Sequence, residues 1–160
     1  MKIYSFPPIS NKKSTILILG TMPGKRSLTQ NQYYGHRGNQ FWSILFNLFD
    51  KEISTDYNIR TNLALTNGIA IWDVLKVCER ESSADADILN EVPNDFDSFF
   101  ANHKIKAIFH NGKNPKKYFD KYTSHVNIPQ FVLPSTSPAN SKFTKEEKLK
   151  EWKLLLKWLS

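Results

Sequence analysis

The stretch Ile16-Leu17-Ile18-Leu19-Gly20-Thr21-Met22-Pro23-Gly24 joins an apolar run to a turn made of small residues and proline. A short, continuous apolar run that ends in turn residues is typical of a strand buried on both faces. Buried parallel strands deliver their turns to the carboxyl edge of the sheet, where open α/β folds bind ligands. This stretch therefore predicts both a fold class and the edge at which a functional site lies.

Further apolar runs repeat this pattern along the chain. Strands are predicted at residues 16–19, 68–72, 105–109 and 131–133, and helices between them at 40–49, 95–102 and 115–122. The alternation indicates an α/β fold whose parallel sheet is covered on both faces. We expect one domain spanning 1–160, and a long irregular loop at 79–93.

The last helix carries the clearest local signal. Thr144 and Glu147 form a capping box, and apolar residues then recur at spacings of three and four, as in an amphipathic helix that docks on the domain. The lysines around it are expected on a solvated face, with phosphate contact as the alternative. They are Lys145, Lys148, Lys150, Lys153 and Lys157.

Composition narrows the function classes. Lys and Arg number 22 against 15 Asp and Glu, and the net charge of +7 suits either a polyanionic partner such as nucleic acid or a soluble basic protein. The single cysteine, Cys78, excludes an internal disulfide or a four-cysteine cluster, and the histidines lack ligand spacing, so neither metal nor cofactor is expected. Without a signal peptide or membrane span in the sequence, a cytoplasmic protein is expected.

A polar and aromatic segment follows the first turn, Tyr33-Tyr34-Gly35-His36-Arg37-Gly38-Asn39-Gln40-Phe41-Trp42. Phe41 and Trp42 open an apolar helix and are expected in the core. Tyr34 and Asn39 are better explained by function. An aromatic ring stacks on a nucleobase with about 1–3 kcal/mol, and an asparagine amide offers a donor and an acceptor to a base edge or a water.

Two later strand ends carry similar turns. The segment Pro134-Ser135-Thr136-Ser137-Pro138-Ala139-Asn140 suits phosphate contacts, although a plain structural turn is the alternative. Asn111 and Lys113 follow the third strand, where Asn111 could contact a ligand and Lys113 a phosphate. No Walker, dinucleotide or Gly-x-Ser-x-Gly pattern is present in the sequence.

Together with residues 68–75 and 109–112, these segments resemble, in the same order, the motifs of the uracil-DNA glycosylase superfamily. The resemblance is closest to its hypoxanthine (deoxyinosine) DNA glycosylase branch. It runs from about residue 16 to the last helix, and it implies a three-layer α/β/α sandwich around a four-stranded parallel sheet.

The resemblance also implies roles for individual residues. Met22 stands where mismatch-specific uracil glycosylases carry an asparagine, so the catalytic amide falls on Asn39, assisted by the backbone amides of Thr21 and Met22. Arg37-Gly38 departs from the usual proline, which bears on substrate preference. Base-binding roles fall on Tyr34, Gly20, Pro23, Gly24 and Asn111. DNA-binding roles fall on Ser135, Thr136, Ser137, Asn140, Lys113 and Arg26.

The implied function is monofunctional hydrolysis of the N-glycosidic bond of a flipped deaminated base, hypoxanthine or uracil, in double-stranded DNA. The motifs show no carboxylate pair, and neither a metal nor a lysine Schiff base is expected. The expected state is a monomer that acts at the nucleoid. One alternative is a catalytically inactive nucleic-acid-binding module of the same fold. Another is a small-molecule nucleotide-binding α/β protein.

Overall fold

A computed structural model describes residues 2–159 of the chain. Its strands are β1 (Lys2–Tyr4), β2 (Ile16–Gly20), β3 (Ile69–Asp73), β4 (Leu75–Glu79), β5 (Leu89–Pro93), β6 (Ala107–Asn111) and β7 (Gln130–Leu133). Its α-helices are α1 (Lys25–Gln30), α2 (Phe41–Leu48), α3 (Tyr57–Thr66), α4 (Phe96–Asn102), α5 (Lys113–Tyr122), α6 (Lys145–Trp152) and α7 (Leu154–Trp158).

The central sheet has four parallel strands in the order β3-β2-β6-β7, which confirms the predicted sheet. Every residue of β2, β3 and β6 is buried, as expected of strands covered on both faces, and polar residues occur only toward their carboxyl ends. They end one or two residues later than predicted, at Gly20, Asp73 and Asn111, and these ends lie at one edge of the sheet.

Two hydrophobic cores flank this sheet. Ile16 and Ile18 pack into one core with Phe41 and Trp152, whereas Leu17 and Leu19 point to the other. Successive side chains of a strand face opposite sides, so β2 supplies both cores in alternation. The expected three-layer α/β/α sandwich is confirmed, and Phe41 and Trp42 lie in the core as predicted.

A second sheet corrects the prediction of a long irregular loop at 79–93. Strands β1, β4 and β5 form an antiparallel sheet in the order β1-β4-β5, and a short 3₁₀ helix, Asp85–Asp87, precedes β5. Strand β5 lies at the edge of this sheet, is largely exposed and pairs with β4 through register shifts. It therefore lacks the alternation of apolar residues by which a strand is identified from sequence.

The C-terminal segment begins as predicted but forms two helices. The capping box is present: Glu147 N–H donates to Thr144 Oγ1 over 3.1 Å, and Thr144 N–H donates to Glu147 Oε1 over 2.9 Å. Lys153 then separates α6 from α7. Lys148, expected on the solvated face, is instead buried, and its ammonium donates to the Asn140 carbonyl over 3.1 Å. None of the helices within residues 2–159 is long and apolar enough to cross a membrane.

Candidate active site

A cavity of about 720 Å³ opens at the carboxyl edge of the central sheet. It is lined by the turn after β2, the segment before α2, the ends of β3 and β6 and the loop after β7. Apart from Lys113, all the predicted site residues line it: Gly20, Thr21, Met22, Pro23, Gly24, Arg26, Tyr34, Asn39, Asn111, Ser135, Thr136, Ser137 and Asn140.

The side-chain amide of Asn39 has a defined orientation in this cavity. Its Oδ1 accepts hydrogen bonds from the Phe41 N–H over 2.9 Å and from the Thr136 hydroxyl over 2.8 Å. Because a backbone N–H can only donate, the atom it contacts must be the oxygen. Nδ2 has no partner within residues 2–159, so the part of Asn39 left for a ligand is a hydrogen-bond donor.

Thr136 makes this orientation possible. Asn111 Oδ1 accepts from the Thr136 N–H, and Asn111 Nδ2 donates to Thr136 Oγ1, each over 2.9 Å. The Thr136 hydroxyl must then donate its own hydrogen to Asn39. Thr136 is fully buried, so its side chain acts inside the protein instead of on the DNA backbone, where the motif had placed it.

Tyr34 reaches the cavity with its hydroxyl. Its backbone is left-handed, with φ +54°, and its ring stacks on Phe41 at a centroid distance of 3.9 Å. Phe41 therefore covers one face of the ring, and only the other is left for the predicted stacking on a base. The hydroxyl is buried, and burial, together with the nearby Asp73, raises the pKa of Tyr34, whereas the side chain of Asn111 acts in the opposite direction.

Asp73 is the site residue that sequence reasoning missed. It ends β3, lines the cavity and is only 4% exposed, and its Oδ2 has no hydrogen-bond partner in the described residues. Burial raises the pKa of this carboxyl to about 7, with Asp85 acting in the same direction and Arg80 opposing them. Its signal in the sequence is a charged residue at the carboxyl end of an apolar strand.

Asp85 also lines the cavity, so two carboxyl groups are present at a site whose motifs had indicated none. Asp73 lies at the base of the cavity, next to Gly20. A Cβ placed on Gly20 would come within 2.7 Å of Asp73 Oδ1 and 3.1 Å of the Tyr34 hydroxyl oxygen. Gly20 is thus the residue whose lack of a side chain lets these two groups meet above the strand end.

The turn after β2 is held from the neighbouring elements. The carbonyls of Gly20 and Thr21 accept from the N–H groups of Val74 and Leu75, over 2.8 and 3.2 Å. The buried Arg80 donates to the Pro23 carbonyl. Met22 packs its side chain into the core, so the turn can offer a ligand only its backbone near this position.

Comparison with known proteins identifies the family to which this chain belongs. The family model of the Uracil DNA glycosylase superfamily matches residues 7–159. The chain belongs to the uracil DNA glycosylase superfamily. It is therefore a DNA glycosylase, a hydrolase whose substrate is DNA, and the resemblance of its motifs is confirmed.

Individual members of the superfamily align over nearly the whole chain. Proteins named hypoxanthine DNA glycosylase from Methanosarcina barkeri and Methanosarcina acetivorans are 34% and 32% identical over 151 and 154 residues. The alignments cover 92% and 95% of this chain and 94% and 96% of the relatives. A solution structure from M. acetivorans, described as a candidate uracil DNA glycosylase, superposes with a TM-score of 0.83 at 31% identity, covering 97% of this chain and 96% of the other.

In this glycosylase the loop after β7 is braced from within. Asn140 Nδ2 donates to the Ser135 carbonyl over 3.0 Å, the Trp152 indole donates to the Pro134 carbonyl over 2.9 Å, and Lys148 holds the Asn140 carbonyl. Ser135 and Ser137 are half-buried along the cavity, each accepting a backbone N–H of the same loop. These internal hydrogen bonds therefore fix the conformation of the loop.

Positive charge continues beyond this loop. Arg26 is exposed at the mouth of the site, whereas Lys113 lines a second cavity of about 840 Å³ that shares Asn111, Ser135 and Asn140 with the first. Lysines from the C-terminal segment face the same groove: Lys142, Lys150, Lys153 and Lys157. Phosphate contact by these lysines stays a prediction.

Proposed function

We propose that this DNA glycosylase removes a deaminated base, hypoxanthine in the first place, from duplex DNA by direct hydrolysis of the N-glycosidic bond. The two relatives named hypoxanthine DNA glycosylase support this choice of base. The observation that carries the proposal is the fixed donor, Asn39 Nδ2, in a cavity that can hold an extruded nucleotide. Flipping costs a few kcal/mol and is easiest at a mismatched or damaged pair.

Cleavage of the bond leaves negative charge on the departing base and an oxocarbenium-like sugar. An N–H that already points into the cavity can stabilise this charge without reorganisation, or hold the oxygen of the attacking water. Asn39 has no titratable group and its oxygen is occupied by Phe41 and Thr136. It therefore acts as a donor and not as a general base, and the backbone amides of Thr21 and Met22 add to the stabilisation.

Asn39→Asp tests this role most directly. An aspartate keeps an oxygen for the Phe41 and Thr136 donors but has no N–H for the ligand. Removing one preorganised donor typically lowers the rate about 10²–10³-fold, so we expect a loss of that order in single-turnover release of hypoxanthine, with DNA affinity largely kept. Asn39→Ala is expected to abolish cleavage. An Asn39→Asp enzyme that works at the wild-type rate would contradict the donor role.

The same assay separates the alternatives. Duplexes carrying hypoxanthine, uracil or xanthine opposite each normal base are incubated with the enzyme and then cleaved by alkali at abasic sites. An inactive binding module releases no base at all, and a nucleotide-binding protein shows no salt-dependent affinity for DNA. We expect borohydride to trap no enzyme–DNA adduct, because a hydrolytic mechanism forms no Schiff base. Action as a monomer in the cytoplasm, at the nucleoid, stays a prediction from the sequence.

A further inference from the structure

Once Asn39 is assigned as a donor, the cavity retains a deeply buried carboxyl group, that of Asp73, which the proposed reaction does not use. Asp73 lies at the cavity floor, 4% exposed, and takes part in no ion pair within residues 2–159. Its Oδ2 has no hydrogen-bond partner in the described residues. Buried polar atoms are nearly always satisfied, so an orphaned carboxyl oxygen in a cavity calls for a ligand.

We propose that Asp73 is a specificity-determining residue that accepts the ring N–H of a deaminated base while Asn39 donates to the neighbouring carbonyl. The inference rests on the proposed function and explains how that function distinguishes a deaminated base from its parent, adenine or cytosine; guanine and thymine present the same pair of groups and are not distinguished by it. Gly20 is the reason the carboxyl can occupy this place, since a side chain there would collide with it.

The chemistry of the bases matches this pair of groups. Hypoxanthine carries N1–H beside a carbonyl at C6, and uracil carries N3–H beside a carbonyl at C4. Adenine and cytosine present the reverse, an acceptor ring nitrogen beside an amino donor. Against them the carboxylate would face a lone pair and the Asn39 N–H would face another N–H. A site built to hydrogen-bond its substrate can reject an analogue that lacks the matching group by about 10⁴–10⁵-fold.

The charged groups around Asp73 come from several elements. Arg80 at the end of β4 favours the ionised carboxylate, whereas burial and Asp85 favour the neutral acid. The Tyr34 hydroxyl, from the segment before α2, has a raised pKa and stays neutral. Only the ionised form is purely an acceptor, so recognition of the ring N–H strengthens as the pH rises past the pKa of Asp73, about 7.

The test combines a change in the base with a change in the protein. Single-turnover release is measured from duplexes carrying hypoxanthine or 1-methylhypoxanthine, which has no N1–H, with the wild type, Asp73→Asn and Asp85→Asn. Methylation is expected to slow the wild type tenfold or more. In Asp73→Asn the penalty shrinks several-fold, because a neutral amide accepts more weakly and the steric effect of the methyl group is the same in both proteins. Asp85→Asn, the matched control at the other cavity carboxyl, keeps the full penalty.

A second measurement needs no variant. Between pH 5.5 and 8 the wild-type rate on hypoxanthine rises through about 7, the pKa of Asp73, while the rate on 1-methylhypoxanthine lacks this rise. Asp73→Asn removes the rise from the hypoxanthine profile. If the wild type releases hypoxanthine but the methyl penalty is equal in wild type and Asp73→Asn and the profiles run parallel, the inference is overturned and the proposed function stands. If the wild type releases no base, the proposed function fails and the inference fails with it.

Discussion

An asparagine amide can donate or accept, and in Asn39 this choice is made by two neighbours. The Phe41 N–H and the Thr136 hydroxyl both point at Oδ1, and the Thr136 hydroxyl is itself directed by Asn111. The backbone N–H of Thr136 fixes Asn111 in turn. Two backbone groups, whose polarity cannot change, thus determine which atom of Asn39 faces a ligand.

Thr136→Val is expected to weaken both folding and catalysis. Valine has nearly the shape of threonine but leaves Asn111 Nδ2 without its acceptor and Asn39 Oδ1 with one donor fewer. The unpaired buried groups should cost about 1–3 kcal/mol of unfolding free energy, measured by urea denaturation. Misplacement of the amide by an ångström can cost about 10²-fold in rate, so single-turnover release should fall by more than stability alone explains. Thr136→Ser keeps the hydroxyl and should retain most activity; equal losses in the two variants would refute the relay.

The sequence showed which residues belong to the site better than it showed what each of them does there. Asn39 could be found because it stands in a motif beside aromatic residues, but its polarity depends on Thr136, which is 97 residues away in the chain. Asp73 gave only a weak signal, a charged residue at the end of an apolar strand, because its importance comes from burial beside Gly20 on the neighbouring strand. Contacts between strand ends are set by the sheet order, and a local pattern does not contain that order.

Among the elements, the turn after β2 has the tightest steric requirement. At Gly20 an added methyl group would come within 2.7 Å of Asp73 Oδ1, a distance that real Cβ contacts do not reach. At Gly24, in the same motif, the nearest atom would be Ser83 Oγ at 3.6 Å, which is an ordinary contact, and the backbone φ of −74° suits any residue.

Gly20→Ala should therefore be much more damaging than Gly24→Ala. Crowding a packed site typically costs about 1–3 kcal/mol, and the displaced Asp73 and Tyr34 should lower the rate of base release further. Gly24→Ala should lose less stability and less activity. The substitution at the start of α1 should lower the free energy of unfolding by less than about 1 kcal/mol. Urea denaturation and single-turnover release on the two variants provide the comparison, and a larger loss in Gly24→Ala would contradict it.

Elements were predictable where burial is uniform. The strands of the central sheet were found because β2, β3 and β6 begin with continuous apolar runs, and the capping box located the start of α6. The antiparallel sheet was missed because β5 is exposed and irregularly paired. The break at Lys153 and the burial of Lys148 depend on docking against the loop after β7, which helix periodicity does not encode.

For the molecule as a whole, two buried titratable groups affect stability in opposite directions. Burial lowers the pKa of His110 from 6.5 to about 4, so in the range between these values the unfolded chain binds a proton that the folded chain does not. Burial raises the pKa of Asp73 from 3.8 to about 7, so over nearly the same range the folded chain holds a proton that the unfolded chain has lost. His110 makes stability rise with pH, and Asp73 makes it fall.

The two contributions should nearly cancel between pH 4.5 and 6, and single variants should separate them. Each group alone gives a slope of about 1.4 kcal/mol per pH unit in the free energy of unfolding. Relative to the wild type, the free energy of unfolding of Asp73→Asn should rise with pH by this slope, and that of His110→Gln should fall with pH by the same slope. The double variant should return to the wild-type slope, and the surface carboxylates contribute equally to all four proteins. Urea denaturation at several pH values measures these slopes; the same slope in the wild type and in Asp73→Asn would mean that Asp73 does not hold its proton in the folded protein.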